Sequence, residues 1–292
     1  MSWNFETIAG PFTLTEGPAW DGDGLLFTDI DASRIMRFDP ASGECSVYRD
    51  QTNRANGLMF DRHGRLHACE QDTGRIVRYE KNGSITVLAD SYNGARFNSP
   101  NDLAIDSKGR IWFTDPRYGD QSGMQIPHMS VYRLDPGAAG VWAVERVVFN
   151  TTRPNGVLLS ADEGVLYVSQ CGFQPGEKRE LRAYPIREDG SLGMDAILHN
   201  FAPHRGIDGM CLDVEGNIVA TAGSHSSGPG PMIYVFEPDG RILETHPVPA
   251  ESPTNCTFGG PNLQTLFVTS IEGYLLRAET QRTGRLAYPA SG

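Results

Sequence analysis

The sequence predicts an all-β fold, a six-bladed β-propeller with four antiparallel strands in each blade. Three observations support this prediction. A short motif recurs six times along the 292 residues, further strand-like runs follow each copy, and no segment has the period of an amphipathic helix. The 33 glycines and 19 prolines suit short strands joined by tight turns. Because these units fill nearly the whole chain, we expect residues 1–292 to form a single domain.

Each copy of the motif has a polar residue, a short apolar run, a turn that contains glycine, and a second run that ends in Thr, Ser or Cys. The copies begin 40 to 54 residues apart, close to the length of a four-stranded blade. A β-sandwich or an open barrel would not place a polar residue at one phase six times. In chain order the copies read EGPAWDGDGLLFTDI, NGLMFDRHGRLHACE, NDLAIDSKGRIWFTD, NGVLLSADEGVLYVS, DGMCLDVEGNIVATA and NCTFGGPNLQTLFVT.

The outer strands of the blades are predicted from the runs between the motifs. Two period-two runs follow each of the first five copies, for example RIMRFDP with CSVYRD and RIVRYE with ITVLAD. The last copy is followed by the single run YLLRAE. We therefore expect the N-terminal run WNFETIA to supply the outer strand of the sixth blade.

The polar residue that opens each copy is the candidate functional feature. The first strand of a blade lines the central channel, so residues just before it should converge on one end of the channel, here called the top. They are Glu16, Asn56, Asn101, Asn155, Asp208 and Asn255. Asn-Gly and Asp-Gly are also common turn dipeptides, but each unit has its own turn further on, and Glu is not a preferred turn residue. Carboxylates and amides supply only oxygen ligands, which suit Ca²⁺, Mg²⁺ or Mn²⁺, with Zn²⁺ as an alternative.

The motifs carry a family resemblance. TEGPAW, SPNDLAID, IWFTDPRYG, RPNGVLLSADEGVLYV and GIDGMCLDVEGNI occur in this order over most of the chain. The sequence resembles the six-bladed propellers of the senescence marker protein, gluconolactonase, regucalcin and luciferin-regenerating-enzyme superfamily. By this resemblance, Glu16, Asn155 and Asp208 match the metal-binding Glu, Asn and Asp, with Ca²⁺ as the first candidate. Asn101 matches an Asn that contacts substrate in some members and metal in others.

One position departs from the regucalcin pattern. Regucalcin-like members carry a substrate-contacting Arg two residues before that Asn, where this chain has Ser99. Arg96 is the candidate to supply the missing guanidinium. The sequence around Asn101 is closer to that of bacterial gluconolactonases, so the resemblance implies a small-molecule sugar lactone as substrate.

The expected chemistry is metal-assisted ester hydrolysis, because a divalent cation polarises a carbonyl and stabilises charge on its oxygen. We assign Asp208 to both ligation and general-base duty, Glu16 to charge balance, and Asn101 to catalysis beside metal or substrate. Substrate contacts are expected from Asn56, Asn101 and Asn255, and from residues at the cavity mouth. These are His204, and residues in three long top loops: Arg117 and Tyr118 at 116–129, Phe173 and Gln174 at 171–180, and His225 at 223–231.

Other functions stay open on the sequence. A calcium-dependent phosphotriesterase of the diisopropylfluorophosphatase type would share the propeller and a Glu, Asn, Asn, Asp site. A metal-buffering or scaffold propeller is a non-enzymatic alternative, and a strictosidine-synthase-like propeller would leave Glu16 and Asp208 unexplained. A serine hydrolase is disfavoured, since the sequence has no GxSxG motif. Cys171 is interpreted as a small buried thiol, because no paired His is evident.

Composition excludes several classes of partner. The net charge of −11 argues against nucleic acid and anionic membranes. The five cysteines lack CxxC spacing, so neither a disulfide framework nor a thiolate zinc site is expected. No signal peptide or long apolar stretch is apparent, so a cytoplasmic location is the expectation. The sequence does not predict an oligomeric state.

Overall fold

Six small antiparallel sheets form a ring in the structure, a computed structural model that describes residues 2–288. Each sheet is one blade, so the predicted six-bladed propeller is confirmed. Within residues 2–288 the only helix is a single 3₁₀ turn, Ala138–Gly140, and no helix is long and apolar enough to cross a membrane. The first residue and the last four residues of the predicted domain lie outside the described residues.

The strands follow the order predicted from the repeats. Blade 1 is preceded by β1 (Glu6–Ala9) and contains β2 (Thr15–Trp20), β3 (Leu25–Asp29), β4 (Arg34–Asp39) and β5 (Glu44–Asp50). Blade 2 contains β6 (Ala55–Phe60), β7 (Leu66–Glu70), β8 (Arg75–Tyr79) and β9 (Ile85–Ala89), and a small hairpin follows with β10 (Ser91–Tyr92) and β11 (Ala95–Arg96). Blade 3 contains β12 (Leu103–Ile105), β13 (Ile111–Asp115), β14 (Ser130–Pro136) and β15 (Trp142–Val148).

The second half of the ring repeats this plan. Blade 4 contains β16 (Pro154–Leu159), β17 (Val165–Gln170), β18 (Glu180–Pro185) and β19 (Ala196–Asn200). Blade 5 contains β20 (Ile207–Asp213), β21 (Ile218–Ser224), β22 (Ser227–Phe236) and β23 (Ile242–Pro247). Blade 6 contains β24 (Pro253–Gly259), β25 (Thr265–Ser270) and β26 (Leu275–Glu279), and the last strand within residues 2–288 is β27 (Gly284–Arg285).

Both ends of the chain help to close the ring. The N-terminal strand β1 pairs with β26 as the outer strand of blade 6, as predicted from WNFETIA. The C-terminal strand β27 pairs with the inner strand of blade 5 through Leu212 and Asp213, which the sequence did not predict. The inner strands of blades 6 and 1 are in contact, which completes the circle.

Hydrophobic side chains fill the spaces between neighbouring blades. Six clusters of buried residues occur, and each one joins two adjacent blades. One example packs Trp20 and Phe27 of blade 1 against Phe267 of blade 6, with the Trp20 and Phe267 rings stacked at 5.9 Å. The alternating pattern of each strand therefore serves packing between sheets, and the polar motif residues are left to face the channel.

The polar residues of the motif lie inside the inner strands, which corrects the expectation that they precede them. In five blades the strand pairing shifts register at the polar residue. The shift follows Glu16 in blade 1, and in the other four blades it spans the polar residue, as between Pro154 and Val157 around Asn155. Asn101 is the exception, since β12 begins two residues later at Leu103. A bulge of this kind redirects a side chain, and here it accompanies the residues at the channel.

The glycine after the polar residue has a packing role, and the turn interpretation is wrong. A Cβ atom on Gly156 would lie 2.4 Å from the carbonyl oxygen of Asp208, and one on Gly17 would lie 2.2 Å from that of Asn56. Each glycine therefore lets the inner strand of one blade approach the polar residue of the next. Gly17 also has φ of +51°, a conformation that side chains rarely adopt.

The hydroxyl at the end of the second strand joins the blades. Thr28 donates to the carbonyl of Asn56 at 3.1 Å, and Thr114 donates to that of Asn155 at 2.6 Å. Ser169 donates to the carbonyl of Asp208 at 3.2 Å. The backbone carbonyls of Asn56, Asn155 and Asp208 are thus held by the preceding blade.

Two of the three predicted top loops are present. Residues 116–129 connect β13 to β14, and residues 171–179 connect β17 to β18. The third prediction, a loop over 223–231, is wrong, because most of this segment belongs to β21 and β22. Ser224 pairs with Ser227, which leaves a tight turn at His225 and Ser226.

Candidate functional site

The channel contains one cavity at its top and another at its bottom. The upper cavity has a volume of about 650 Å³ and is lined by Glu16, Asn56, Asn101, Asn155 and Asp208, five of the six polar motif residues. The lower cavity, of about 240 Å³, is lined mostly by apolar residues and also by Asn255. The upper cavity is therefore the candidate functional site.

Glu16 and Asp208 are the acidic motif residues of the upper cavity. Their exposed fractions are 4% and 8%. Burial raises the pKa of Glu16 well above its usual range, and the charges of Asp208 and Asp102 raise it further. Burial also raises the pKa of Asp208 to about 6, although Arg205 and a hydrogen bond from Asn155 oppose this increase. The positive charge near these two carboxylates is thus too small to offset the effect of burial on their pKa values.

Asp102 is a third buried carboxylate, and the sequence interpretation missed it. It lines the lower cavity, and its two oxygens accept hydrogen bonds from the N–H groups of Leu103 at 2.9 Å and Val157 at 3.3 Å. Burial raises the pKa of Asp102 to about 7, and Asp208 contributes. The signal was present in the repeats, since Asp102 occupies the position held by glycine in four other copies.

Asn155 is oriented by Tyr118. The Asn155 Nδ2 group donates to the Tyr118 hydroxyl at 2.6 Å, which leaves its Oδ1 atom available as an acceptor. Tyr118 is in turn held by the buried Arg153, whose guanidinium lies 5.2 Å from the centre of the Tyr118 ring. The same guanidinium pairs with Glu177 at 2.6 Å. The top loop of blade 3 therefore positions a candidate ligand of blade 4.

The amides of Asn56 and Asn101 are free to bind a ligand. Each side chain is 4% exposed and lines the upper cavity. Within residues 2–288 neither side chain has a hydrogen-bond partner, although the backbone of Asn101 donates to Thr114 and accepts from Gly57. A nearly buried amide without partners is costly unless a ligand or water satisfies it.

Asn255 does not reach the upper cavity. Its Nδ2 group donates to Glu16 at 3.1 Å, and its Oδ1 atom accepts from the N–H of Cys256 at 2.8 Å. Asn255 therefore supports Glu16 from below, and its predicted contact with substrate stays untested.

The guanidinium groups of the upper cavity come from positions that the sequence interpretation did not select. Arg54, Arg179 and Arg205 line it, whereas Arg96 and Arg117 do not. Arg96 donates to backbone carbonyls, among them that of Asp72 at 2.6 Å, and Arg117 donates to those of Asp120 and Asn98. Ser99 is also occupied, since its N–H donates to Asp115 at 2.8 Å.

The other predicted mouth residues divide into two groups. Phe173 and His204 line the upper cavity, together with Cys171. Gln174 and His225 do not line it. Burial raises the pKa of the Cys171 thiol to about 11, which agrees with its interpretation as an unreactive thiol.

The donor set fits a hard divalent cation. Glu16, Asn155, Asp208 and Asn101 offer only oxygen atoms, and the buried carboxylates lack sufficient positive charge around them. Residues 2–288 contain no group of three or more His, Cys, Asp or Glu side chains suited to a metal, so amide oxygens would have to complete any such site.

Comparisons with known proteins agree with this architecture. The family model described as SMP-30/Gluconolactonase/LRE-like region matches residues 14–272. A gluconolactonase of Zymomonas mobilis is 30% identical, and the match covers 97% of this chain and 83% of the relative. The solved structure of a gluconolactonase of Xanthomonas campestris is 32% identical, with a TM-score of 0.80 over 95% of this chain and 89% of the other.

A more distant structure shows the same fold. A regucalcin of Agrobacterium tumefaciens, described as a calcium-binding protein, is 19% identical and has a TM-score of 0.78, over 97% of this chain and 96% of the other. The propeller, the motif order and the match over residues 14–272 lead to one conclusion. The chain belongs to the SMP-30/gluconolactonase/LRE-like family.

Proposed function

We propose that this protein is a lactonase that opens a small sugar lactone with the help of one divalent cation. The observation that carries the proposal is the convergence of Glu16, Asn155 and Asp208 on one cavity, in a chain related to gluconolactonases. Two inward-facing carboxylates are costly without a cation, which disfavours a purely scaffolding role.

The cation would be held by Glu16, Asn155 and Asp208, with Asn101 as a further ligand or as a substrate contact. We propose Ca²⁺ as the preferred ion, because the donors are all oxygen atoms and a regucalcin of the same fold is described as calcium-binding. Zn²⁺, Mn²⁺ and Mg²⁺ are the alternatives.

A bound divalent cation would polarise the lactone carbonyl and stabilise the charge that develops on its oxygen. In the proposed reaction, Asp208 accepts a proton from the attacking water as the water oxygen bonds to the carbonyl carbon. The ring C–O bond then breaks, and the proton passes from Asp208 to the departing ring oxygen, which becomes a hydroxyl. The product is the open hydroxy acid, so no further reactant is needed.

The surrounding side chains would orient the reacting groups. Arg205 binds Asp208 through Oδ2 and so fixes the orientation of this carboxylate. The unpartnered amides of Asn56 and Asn101 are available to bind hydroxyl groups of a sugar. Tyr118 holds Asn155 in a fixed orientation.

The proposal predicts that Asp208→Asn lowers kcat by at least about 100-fold, because an amide cannot accept the proton. Proton release would be measured with five- and six-membered sugar lactones, after subtraction of spontaneous hydrolysis. Chelated protein should be inactive, and added Ca²⁺, Zn²⁺, Mn²⁺ or Mg²⁺ should restore activity. Glu188→Gln, which changes an exposed carboxylate, serves as the control and should behave as wild type.

Binding is measured separately from turnover. Ca²⁺ should raise the melting temperature of the wild-type protein by mass action, and it should do so less for Glu16→Gln. Near wild-type turnover by Asp208→Asn would reject the catalytic assignment. A rate unchanged by chelation would reject the role of the cation, and a higher kcat/KM for a phosphotriester would favour the phosphotriesterase instead.

A further inference from the structure

One wall of the upper cavity carries basic side chains, and Arg179 in this wall has no part in the proposed hydrolysis. This basic wall consists of Arg179, His204 and Arg205, which lie in the loop before β18 and in the connection between blades 4 and 5. The whole protein carries a net charge of −11, so the charge of the basic wall is opposite in sign to that of the protein as a whole. Local positive charge in a cavity is a feature of sites that bind anionic groups.

Arg179 has no carboxylate partner within residues 2–288, unlike the other two guanidinium groups of the cavity. Arg205 pairs with Asp208, and Arg54 pairs with Asp31 at 2.7 Å. Arg179 donates instead to two backbone carbonyls, from Nε to Gly172 at 2.8 Å and from Nη1 to Pro203. Its charge is therefore uncompensated and its plane is fixed at two points. A guanidinium held in this way is organised in advance to bind an oxyanion.

Hydroxyl groups lie on the same side of the cavity. The turn between β21 and β22 contributes Ser224, Ser226 and Ser227 to the lining. Ser227 Oγ accepts from the N–H of Arg205 at 2.7 Å, and the Oγ atoms of Ser224 and Ser226 lie 3.3 Å apart. Serine hydroxyls donate readily to carboxylate and phosphate oxygens.

The lining also includes apolar residues from another part of the ring. Leu14 and Ile30 of blade 1 and Ile271 of blade 6 contribute apolar surface to the upper cavity. The upper cavity could therefore contact an apolar part of a ligand as well as a charged group.

We propose that the substrate is an acidic lactone, in which a carboxylate, phosphate or sulfonate group is attached away from the ring ester. Arg179 binds this group and acts as a specificity residue, while Asp208 and its neighbours act on the ester. The inference rests on the proposed lactonase function and narrows its substrate class.

The test compares a neutral aldonolactone with lactones of the same ring size that carry a carboxylate or a phosphate at the last carbon. Wild-type protein should favour at least one acidic lactone by about tenfold or more in kcat/KM, the effect of one charge-assisted hydrogen bond. Arg179→Gln should lose this preference, because its kcat/KM should fall further on the acidic lactone than on the neutral one. Arg179→Lys should retain part of the preference, and the exposed Arg187→Gln in the same blade is the matched control.

The outcomes separate the inference from the function on which it rests. Equal kcat/KM values for neutral and acidic lactones would overturn the inference and leave the lactonase intact. An equal loss on both substrates in a folded Arg179→Gln protein, checked by circular dichroism, would assign Arg179 a structural role and also overturn it. Failure of wild-type protein to open any lactone would instead reject the proposed function.

Discussion

At the residue scale, the buried carboxyl groups of the channel differ from the buried His67 in the direction of their pKa shifts. Glu16, Asp102 and Asp208 surround the channel, and burial raises the pKa of each carboxyl group. His67 lies in β7, away from the upper cavity, and is 2% exposed. Burial lowers its pKa to about 4, and the carbonyl of Arg65 lies 3.0 Å from Nδ1. Glu16 and Asp208 belong to the candidate site, whereas we expect His67 to affect stability.

We expect His67 to make the protein sensitive to acid. Its pKa is lower in the folded protein than the ordinary value of 6.5, so the unfolded chain binds more protons between these values. The free energy of unfolding should therefore fall as the pH falls from about 6.5 to about 4, by about 3 kcal/mol from this group. Urea unfolding at several pH values would show a smaller decrease for His67→Gln.

The exposed His63 provides the control for this experiment. His63→Gln should follow the wild-type dependence on pH, because its imidazole stays in water in both states. If His67→Gln and wild type lose stability equally over this range, another group is responsible.

At the element scale, the inner strand combines three features in four of the six blades. A polar residue lies at the channel, a bulge occurs at or directly after it, and a glycine allows close approach to the next blade. The hydroxyl of the preceding second strand then binds the polar residue's carbonyl, as Thr114 does for Asn155. The position of each candidate ligand is therefore set by contacts between blades, so a change between blades should affect the site.

Gly156→Ala tests this coupling. The added methyl group would meet the carbonyl oxygen of Asp208 at 2.4 Å, so the two inner strands must separate. We expect a loss of about 1–3 kcal/mol in the free energy of unfolding, as for other overpacked positions. Lactonase activity should also decrease at temperatures where the variant is fully folded.

Gly164→Ala in the turn between β16 and β17 is the matched control. Its new methyl group would approach only the Asp162 side chain, at 3.3 Å, and that side chain can move. Wild-type stability in Gly156→Ala would show that the inner strands separate freely.

At the scale of the whole molecule, the ring is closed by both ends of the chain. Strand β1 completes blade 6, and Trp3 stacks on His246 of blade 5 at 3.8 Å. Near the other end, Arg282 pairs with the buried Asp213 at 2.6 Å and also with Glu244. Residues far apart in sequence therefore meet at blades 5 and 6. That residues 1–292 form one domain, and that the protein is cytoplasmic, stay predictions.

We expect Arg282→Met to lower the free energy of unfolding by about 3 kcal/mol, because Asp213 would remain buried without its cation. Urea unfolding provides the measurement. Arg277→Met removes a largely exposed pair with Glu6 and should cost less than about 1 kcal/mol. The double variant Arg282→Met, Asp213→Asn should recover part of the loss, and no recovery would contradict the ion-pair explanation.

Much of the site was predictable because the polar residue occupies the same position in each of the six repeats. Residues at one phase of six equivalent strands must lie at equivalent positions, which placed Glu16, Asn56, Asn101, Asn155 and Asp208 at one cavity. Asn255 shares the phase but lies lower, since its amide binds Glu16 and Cys256. Arg179 and Arg205 were missed because they lie in irregular connections, where the motif specifies no geometry.

The sequence by itself determined the six blades, the closing role of the N-terminal strand and the polar residues of the channel, because hydrophobic alternation and repeat spacing are local properties. Only the tertiary structure decided which charges meet in the upper cavity. Asp102 raises the pKa of Glu16 from another blade, and Arg205, which lies in an irregular connection, pairs with Asp208. The distances between these groups depend on how the blades pack. The packing role of the glycine in the motif was likewise visible only in the structure, because the atom that the glycine approaches belongs to the next blade.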